Sequence, residues 1–334
     1  MRNLVVFFIG FLFGVVNLNA DIPKHSPEFY EAIKPEVREA QRKGANAKII
    51  YRVVNDEGMP ITNTVVHGTW QNDYPRKMWK EEFNTDTNGV FVAKGRVGGR
   101  FTCQIDKEGY YSSCAGIDFH WRKGVSPLVK DGRWQPYGES KTIILKRVKK
   151  PINMNLLQHT WFRAPATNVW IGFDFECFSW TSPYGNGKNN DMLVRFNYSA
   201  HNKYYTDWSK MDISFTNNSY AGFYKVKKDL YSDMKNPYLV DTNRIFIATN
   251  SYGTIKTKAN ILGSDSCLVF RTRTKVDENG RLLSAHYGVI HGPWTTEFGM
   301  EADAIFFNTN PNDINIEDLD VSTRVRLKQN GLLK

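Results

Sequence analysis

Three hydrophobic patterns succeed one another along the chain. Residues 4–16 (LVVFFIGFLFGVV) form an apolar run of thirteen behind Arg2, followed by Asn17, Asn19 and the small Ala20. A bilayer-spanning helix needs about 20 apolar residues, so the run predicts a removable signal peptide over 1–20, with an uncleaved anchor as the other reading. Within 26–43, Phe29, Ile33, Val37 and Ala40 recur at helical spacing between Ser26, suited to an N-cap, and Gly44, suited to a stop. Pro35 interrupts this segment, which predicts two short helices or one that starts afresh at the proline. Residues 21–46 thus read as a helical lead-in. From Ala47 onward the apolar positions fall into short β-branched and aromatic runs, separated by Gly, Asn and Asp. Strands at such spacing, with no long helical periodicity, predict an all-β protein.

The runs group into two sets. Residues 48–54, 62–70, 90–93, 99–105 and 141–145 make the first, which closes before Lys149-Lys150-Pro151. Residues 168–180, 192–198, 211–215, 244–249, 267–274, 282–291 and 302–307 make the second, with Asp277-Glu278-Asn279-Gly280 as a hairpin turn between two of them. The expectation is a β-sandwich over 47–148, followed by a larger β-rich domain over 152–334, a sandwich or jelly-roll-like unit.

Four segments of the first set carry a resemblance: Val54-Asn55-Asp56-Glu57-Gly58-Met59-Pro60-Ile61, Val65-Val66, Thr85-Asp86-Thr87-Asn88-Gly89-Val90-Phe91 and Ile105-Asp106-Lys107-Glu108-Gly109-Tyr110-Tyr111. This order resembles the carboxypeptidase regulatory-like domain, a small transthyretin-like or prealbumin-like sandwich. It implies a supporting or recognising role rather than catalysis. Residues 115–138, rich in His120, Trp121, Arg122 and Trp134, depart from it as an insertion. Ile171-Gly172-Phe173-Asp174, Pro183-Tyr184-Gly185-Asn186-Gly187-Lys188, residues 270–280 and Asn308-Thr309-Asn310-Pro311-Asn312-Asp313 extend the likeness. With them the whole chain resembles a group of uncharacterised exported bacterial proteins, a resemblance that implies no activity.

Charge narrows the choice of partner. With Arg2 removed, 43 of the 44 basic residues remain against 34 acidic ones, an excess of nine. Such a surface favours anionic envelope polymers, glycans among them. The charges are scattered, and the densest group, Lys146-Arg147-Val148-Lys149-Lys150, falls where a linker is expected. No nucleic-acid partner is expected, nor a transmembrane segment once the signal is removed.

Export also makes the four cysteines candidates for disulfides. A hairpin looped at Glu108-Gly109 would set Cys103 opposite Cys114, at a separation that a disulfide can span. Cys177 and Cys267 lie in strand-like runs and either pair or remain buried thiols.

Asp174 and Glu176, two apart on a strand, would share a face, as the two acids of a glycosidase require; an exposed face with solvated acids is the plainer reading. His286 and His291, five apart, fall on opposite faces unless Gly288 hosts a bulge, so they do not predict a metal site. Asn308, Asn310, Asn312 and Asp313 offer oxygen ligands with too little charge for calcium. No nucleophile elbow, zinc-protease helix or phosphate loop occurs, so no catalytic residue, metal or cofactor is assigned. Trp180, Tyr184 and Lys188 frame a glycine-rich loop and are the ligand-binding candidates: an aromatic platform beside polar groups that bond sugar hydroxyls. The sequence thus points to an exported, non-catalytic binding protein of the envelope, cell surface, periplasm or extracellular space, with glycans as the ligand class. A structural or assembly component is the alternative, and a glycan-active hydrolase a third.

Overall fold

The computed structural model describes residues 34–73, 75–119, 127–200, 206–215, 220–229, 232, 234–255, 260–295 and 298–317. The apolar run at 4–16, Ser26, His120, Trp121 and Arg122 lie outside them. Among the described residues no helix is long and apolar enough to cross a membrane.

The helix α1 (Pro35–Lys43) begins at the proline, which tolerates the first turn because its missing N–H has no partner there. It ends at Gly44, whose φ of +76° few other residues adopt. Val37 and Ala40, one turn apart, are buried against the first sandwich.

Nine strands follow: β1 (Ala45–Asn55), β2 (Val65–Asp73), β3 (Arg76–Asn84), β4 (Val90–Val97), β5 (Arg100–Ile105), β6 (Ser113–Asp118), β7 (Val129–Lys130), β8 (Arg133–Trp134) and β9 (Glu139–Leu145). One sheet runs β3-β2-β5-β6; the other is centred on β1, with β4 on one side and β8 and β9 on the other. Alternation puts Tyr51, Val66, Trp70, Phe101 and Ile105 inside. The Asn88-Gly89 turn forms, held by the Asp86 carboxylate, which accepts the Asn88 and Val90 N–H groups. It does not close a hairpin. It carries the chain from β3 in one sheet to β4 in the other.

The β5–β6 ladder corrects the expected disulfide. Gln104 pairs with Cys114 and Cys103 with Ala115, one residue away from the expected register. A slip of one flips every side chain to the other face. Cys103 therefore points into the core, Cys114 points outward, and the two are not bridged. The cause lies in the loop. Tyr110 and Tyr111 leave the hairpin to pair with Arg147 and Lys146, and the Tyr111 side chain is fully buried.

Eleven strands build the second unit: β10 (Asn155–Arg163), β11 (Trp170–Asp174), β12 (Ser179–Trp180), β13 (Met192–Ala200), β14 (Thr206–Ser214), β15 (Gly222–Lys227), β16 (Thr249–Ile255), β17 (Asn260–Leu262), β18 (Ser266–Val276), β19 (Leu282–Thr295) and β20 (Gly299–Asn308). They form two sheets, β10-β20-β19-β18-β15 with β17 on β19, and β12-β11-β13-β14-β16. Phe173, Phe175, Phe196, Phe270 and Phe307 fill the space between them. The first of these sheets is buried on its other face as well. There Val269, Phe306 and Ala304 pack under Met154, Val240, Phe246 and Ile316. The turn at 277–280 forms as the sequence indicates, with the Asp277 carboxylate accepting from Asn279 and Arg281.

The basic run 146–150 is a docked strut between the two sandwiches. Lys146 Nζ donates to the carbonyls of Met234 (2.7 Å) and Asn236 (3.1 Å) and lies 3.6 Å from Asp229. Burial pulls its pKa down. The buried Glu317 carboxylate accepts the Tyr111 hydroxyl and the Lys149 and Lys150 N–H groups, each at 2.7 Å.

Candidate functional site

The glycine-rich loop expected to bear the ligand is built around a buried ionic corner. At the end of β11 the chain turns through 175–178 and returns as β12, so Asp174 and Glu176 do not share a strand face. Asp174 accepts N–H bonds from Glu176 (2.9 Å), Lys188 (2.8 Å) and Asn189 (3.0 Å). Asp191 accepts from the Phe175 N–H at 2.9 Å. Arg273 then ties the acids together, with Nη2 3.0 Å from Asp174, Nε 2.8 Å from Asp191 and Nη1 2.5 Å from Glu176. Its guanidinium also lies over the Phe307 ring.

Burial works against the Asp174 charge, but the backbone donors and Arg273 outweigh it and hold its pKa below the ordinary value. At Asp191 burial wins, and its pKa is raised in spite of Arg273. Arg273 is held firmly protonated: burial opposes its charge, but the carboxylates prevail. Neither acid is poised to act on a sugar. The corner fixes a turn.

Of the three ligand candidates, Trp180 is a core residue. It is 7% exposed, donates its indole N–H to the Arg163 carbonyl at 3.2 Å, and meets Phe162, Phe173 and Phe196 edge to face. Its ring faces are closed to a sugar. Tyr184 and Lys188 are exposed on the loop, so the three do not form a platform. Gly185 and Gly187 serve the fold: a Cβ on either would meet the Ser179–Trp180 backbone within 3 Å.

The histidines separate as their spacing predicts. His286 opposes Thr272 and His291 opposes Cys267, with the bulges lying beyond this stretch on either side rather than at Gly288. His286 stacks on Phe307 and His291 packs on Phe306, neighbours on opposite faces of one strand. The Asn-rich segment near 308–315 is spent on its own loop, with Asn308 Nδ2 donating to the Asp313 and Asn315 carbonyls. No acidic, cysteine and histidine group suited to a metal occurs among the described residues.

One constellation that the sequence did not suggest has the composition of a cysteine hydrolase. Cys267 lies opposite His291, whose Nε2–H donates to Asn236 Oδ1. Its setting is that of a core. Cys267 is fully buried, and burial pushes its thiol up to about 12. Burial, together with Lys228, Lys235 and Lys146, drives the His291 pKa well down. A nucleophilic cysteine needs the reverse, a thiolate in an electropositive and accessible place. The group is structural: Asn236 Nδ2 also holds the Ile316 carbonyl.

The solvent face of the β11–β13–β14 sheet is different. Register sets Trp170, Arg195 and Asp212 side by side across three strands, with Ser251 next in the row on β16. Their neighbours Ile171, Val194, Phe196, Met211 and Ile213 point into the core. Trp170 is 43% exposed, with the Arg195 guanidinium 4.8 Å from its ring centre. Arg195 in turn grips Asp212 through Nε (3.0 Å) and Nη2 (2.7 Å), while Lys210 lies 3.3 Å from the other oxygen. Parity was the available signal: with Ile171 and Phe173 inward, Trp170 must face out. The companions across the row depend on a register that no single strand reveals.

No family profile and no curated protein matches this chain. Among solved structures, 3-chlorocatechol 1,2-dioxygenase from Rhodococcus opacus 1CP is similar at 18% identity over 32% of this chain and 61% of that one, with a TM-score of 0.25. Chlorocatechol 1,2-dioxygenase from Pseudomonas putida gives 13% identity over 31% and 61%, with a TM-score of 0.26. A DUF3823 family protein from Bacteroides uniformis gives 7% identity over 73% of this chain and 90% of that one, with a TM-score of 0.22. The chain thus spans about three fifths of the dioxygenases' length. Likeness at this level transfers no chemistry.

Proposed function

We propose that the protein is an exported, non-catalytic binding protein that engages glycans through the solvent face of its second sandwich. The observation behind this reading is the registered row Trp170–Arg195–Asp212. An exposed indole offers a flat apolar surface to a sugar ring. Arg195, 40% exposed in its side chain and locked by the buried Asp212, presents fixed donors to hydroxyls at low entropic cost, because it does not have to be ordered on binding. Lys210 adds positive charge that favours an anionic chain. Export rests on the N-terminal apolar run and fits the basic excess of the chain. A structural role in the envelope is the second reading, favoured by the docked strut that joins the sandwiches.

The test compares two tryptophans. Trp170→Ala removes the exposed ring and is expected to weaken binding on a glycan array by roughly thirtyfold, about 2 kcal/mol, at an unchanged melting temperature. Trp180→Ala empties a core site and is expected to cost about 3–5 kcal/mol of stability, with binding per folded molecule unchanged. Glycan binding that survives Trp170→Ala removes this face from consideration.

A further inference from the structure

Cations that lie far apart in the sequence of the first sandwich are gathered by register onto one sheet face. Along β1, Ala47, Ile49, Tyr51 and Val53 point into the core, so Asn46, Lys48, Ile50 and Arg52 point away from it. On β4, Arg96, Lys94, Val92 and Val90 stand opposite these four in turn. On the other flank Asn46 pairs with Arg133 of β8, which pairs with Lys130 of β7. Lys48, Arg52, Lys94, Arg96, Lys130 and Arg133 thus share a patch about 14 Å across the strands and about 20 Å along them. Strand β9 adds Ser140, Thr142 and Ile144 to the same face, opposite Ile50, Arg52 and Val54.

The fold does not neutralise this patch. The outward positions of β1, β4, β8 and β9 hold no carboxylate. Lys48 stands directly opposite Lys94, and Lys130 directly opposite Arg133, and like charges so placed repel. Arg96 donates from Nε to the Lys43 carbonyl at 3.2 Å, and the Arg133 guanidinium lies 5.1 Å from the centre of the Tyr137 ring. Glu39, the acid beside Arg96, is taken up by Lys43 at 2.9 Å. Among the described residues none of the six cations forms an ion pair. Lysines on an outermost strand keep a sheet from pairing with other chains, but Lys48 and Arg52 lie on β1, which is flanked by β4 and β9.

An occupant of this face must be anionic, and its shape follows from the layout of the charges. They spread over both dimensions of the sheet, so a linear polyanion meets one row of them and a charged plane meets all. No aromatic ring stands at an outward position of β1, β4, β8 or β9, and the Tyr137 ring beside them is taken by Arg133, so sugars and bases find nothing to stack on. The apolar residues of the face, Ile50, Val92 and Ile144, are short, which suits contact at the level of lipid headgroups. We propose that this face of the first sandwich docks on the surface of an anionic phospholipid bilayer. Headgroup phosphates supply the negative charge that the fold withholds and relieve the two opposed pairs of like charge.

Sedimentation of the full chain with phosphatidylglycerol and with phosphatidylcholine vesicles tests this. The apolar run at 4–16 contributes equally on both lipids and cancels in the ratio of the two partition coefficients. The parent is expected to favour phosphatidylglycerol by at least about a hundredfold at low salt, and less as salt is added. Each cation near such a surface is worth about fivefold, so Lys48→Gln/Lys94→Gln/Lys130→Gln is expected to lower the ratio by about a hundredfold. Its melting temperature should be unchanged or raised, since opposed like charges are removed. Lys225→Gln/Lys227→Gln/Lys275→Gln takes the same charge from exposed positions of the second sandwich and is expected to stay within about threefold of the parent. A parental ratio near one, equal losses in the two triple variants, or parent-like partitioning by the folded first variant overturns the proposal. So does retention on a soluble polyuronate without preference for phosphatidylglycerol, since that result assigns the face to a linear glycan. Trp170→Ala is expected to partition as the parent does, so this test and that of the glycan face fail separately.

Discussion

Replacing Arg273 by Met keeps most of the side-chain volume and removes the guanidinium that pairs with Asp174, Glu176 and Asp191. Three acids then lose their partner, but unequally. Glu176 is half exposed and recovers water, so its pair with Arg273 is worth little. Asp174 keeps its three backbone donors from Glu176, Lys188 and Asn189. Asp191 is fully buried and keeps the Phe175 N–H and a long contact with the Thr272 hydroxyl at 3.4 Å. The loss therefore falls on Asp191, as a buried carboxylate without a counter-charge, which costs about 3–5 kcal/mol. The pH dependence has a definite sign. Asp191 already has a raised pKa in the folded state, through burial, and loss of Arg273 raises it further. A carboxyl whose folded pKa exceeds its unfolded value loses stability as pH rises through the folded pKa. The deficit of Arg273→Met should thus shrink as the pH is lowered from neutrality through the raised folded pKa of Asp191. Asp174 behaves in the opposite sense: its lowered pKa contributes stability that is lost only in stronger acid, as pH falls through its folded value. Urea unfolding of the parent, Arg273→Met and the double variant Asp191→Asn/Arg273→Met measures these terms. The double variant should regain about 2 kcal/mol over Arg273→Met at neutral pH. A cost below about 1 kcal/mol, or a deficit that is flat with pH, refutes the assignment of the corner as a buried ionic lock.

Two further outcomes follow from burial. Glu317→Gln puts an amide nitrogen where N–H and O–H donors converge, and should lower stability by about 2–3 kcal/mol. Limited proteolysis of that variant should then cut first near 146–150, and a parent-like digest would show that the strut is held elsewhere. Native protein should expose two thiols to a maleimide, Cys114 and Cys177, and all four after unfolding, since Cys103 and Cys267 are buried with thiols raised to about 12 by burial. A mass difference between reduced and non-reduced protein would contradict this.

What could be read from the sequence was local, and what could not was register. The turns at 55–59, 86–90 and 277–280 were legible because each is closed by a side chain within four residues: Asn55, Asp86 or Asp277. The all-β class was legible for the same reason, since alternation is written in each strand. The opposite facing of His286 and His291 needed only parity along one strand. The disulfide and the sugar platform needed something more, namely how one strand lies against another. For Cys103 and Cys114 the deciding residue is Tyr111, drawn out of the hairpin by Lys146 and Glu317, which lie 35 and 206 positions further along the chain. For Trp180, alternation carried on through 175–178 sets the indole on the face of Asp174 and Glu176, whereas the strand ends at Asp174. The corner set by Arg273, 99 residues beyond Asp174, turns the chain there and folds the indole inward.

The two tryptophans show why composition alone does not separate a core ring from an exposed one. Trp170 and Trp180 belong to one hairpin of aromatic character, β11 and β12. Aromatic residues fill cores and furnish platforms by the same property, a large apolar area. Only position relative to the sheet separates the two uses. Trp180 pairs with Phe173 and follows it into the core, whereas Trp170 pairs with Arg195, whose guanidinium lies over the ring and is itself held by Asp212. The buried Trp180 is surrounded by rings and a carbonyl, whereas the exposed Trp170 lies beside a guanidinium that water can reach and that the buried Asp212 holds in place. The Trp170 row therefore combines two features that the core cannot, an apolar surface open to solvent and polar partners already fixed in place. That combination is what a sugar, apolar on its ring face and polar at its rim, requires of a protein surface.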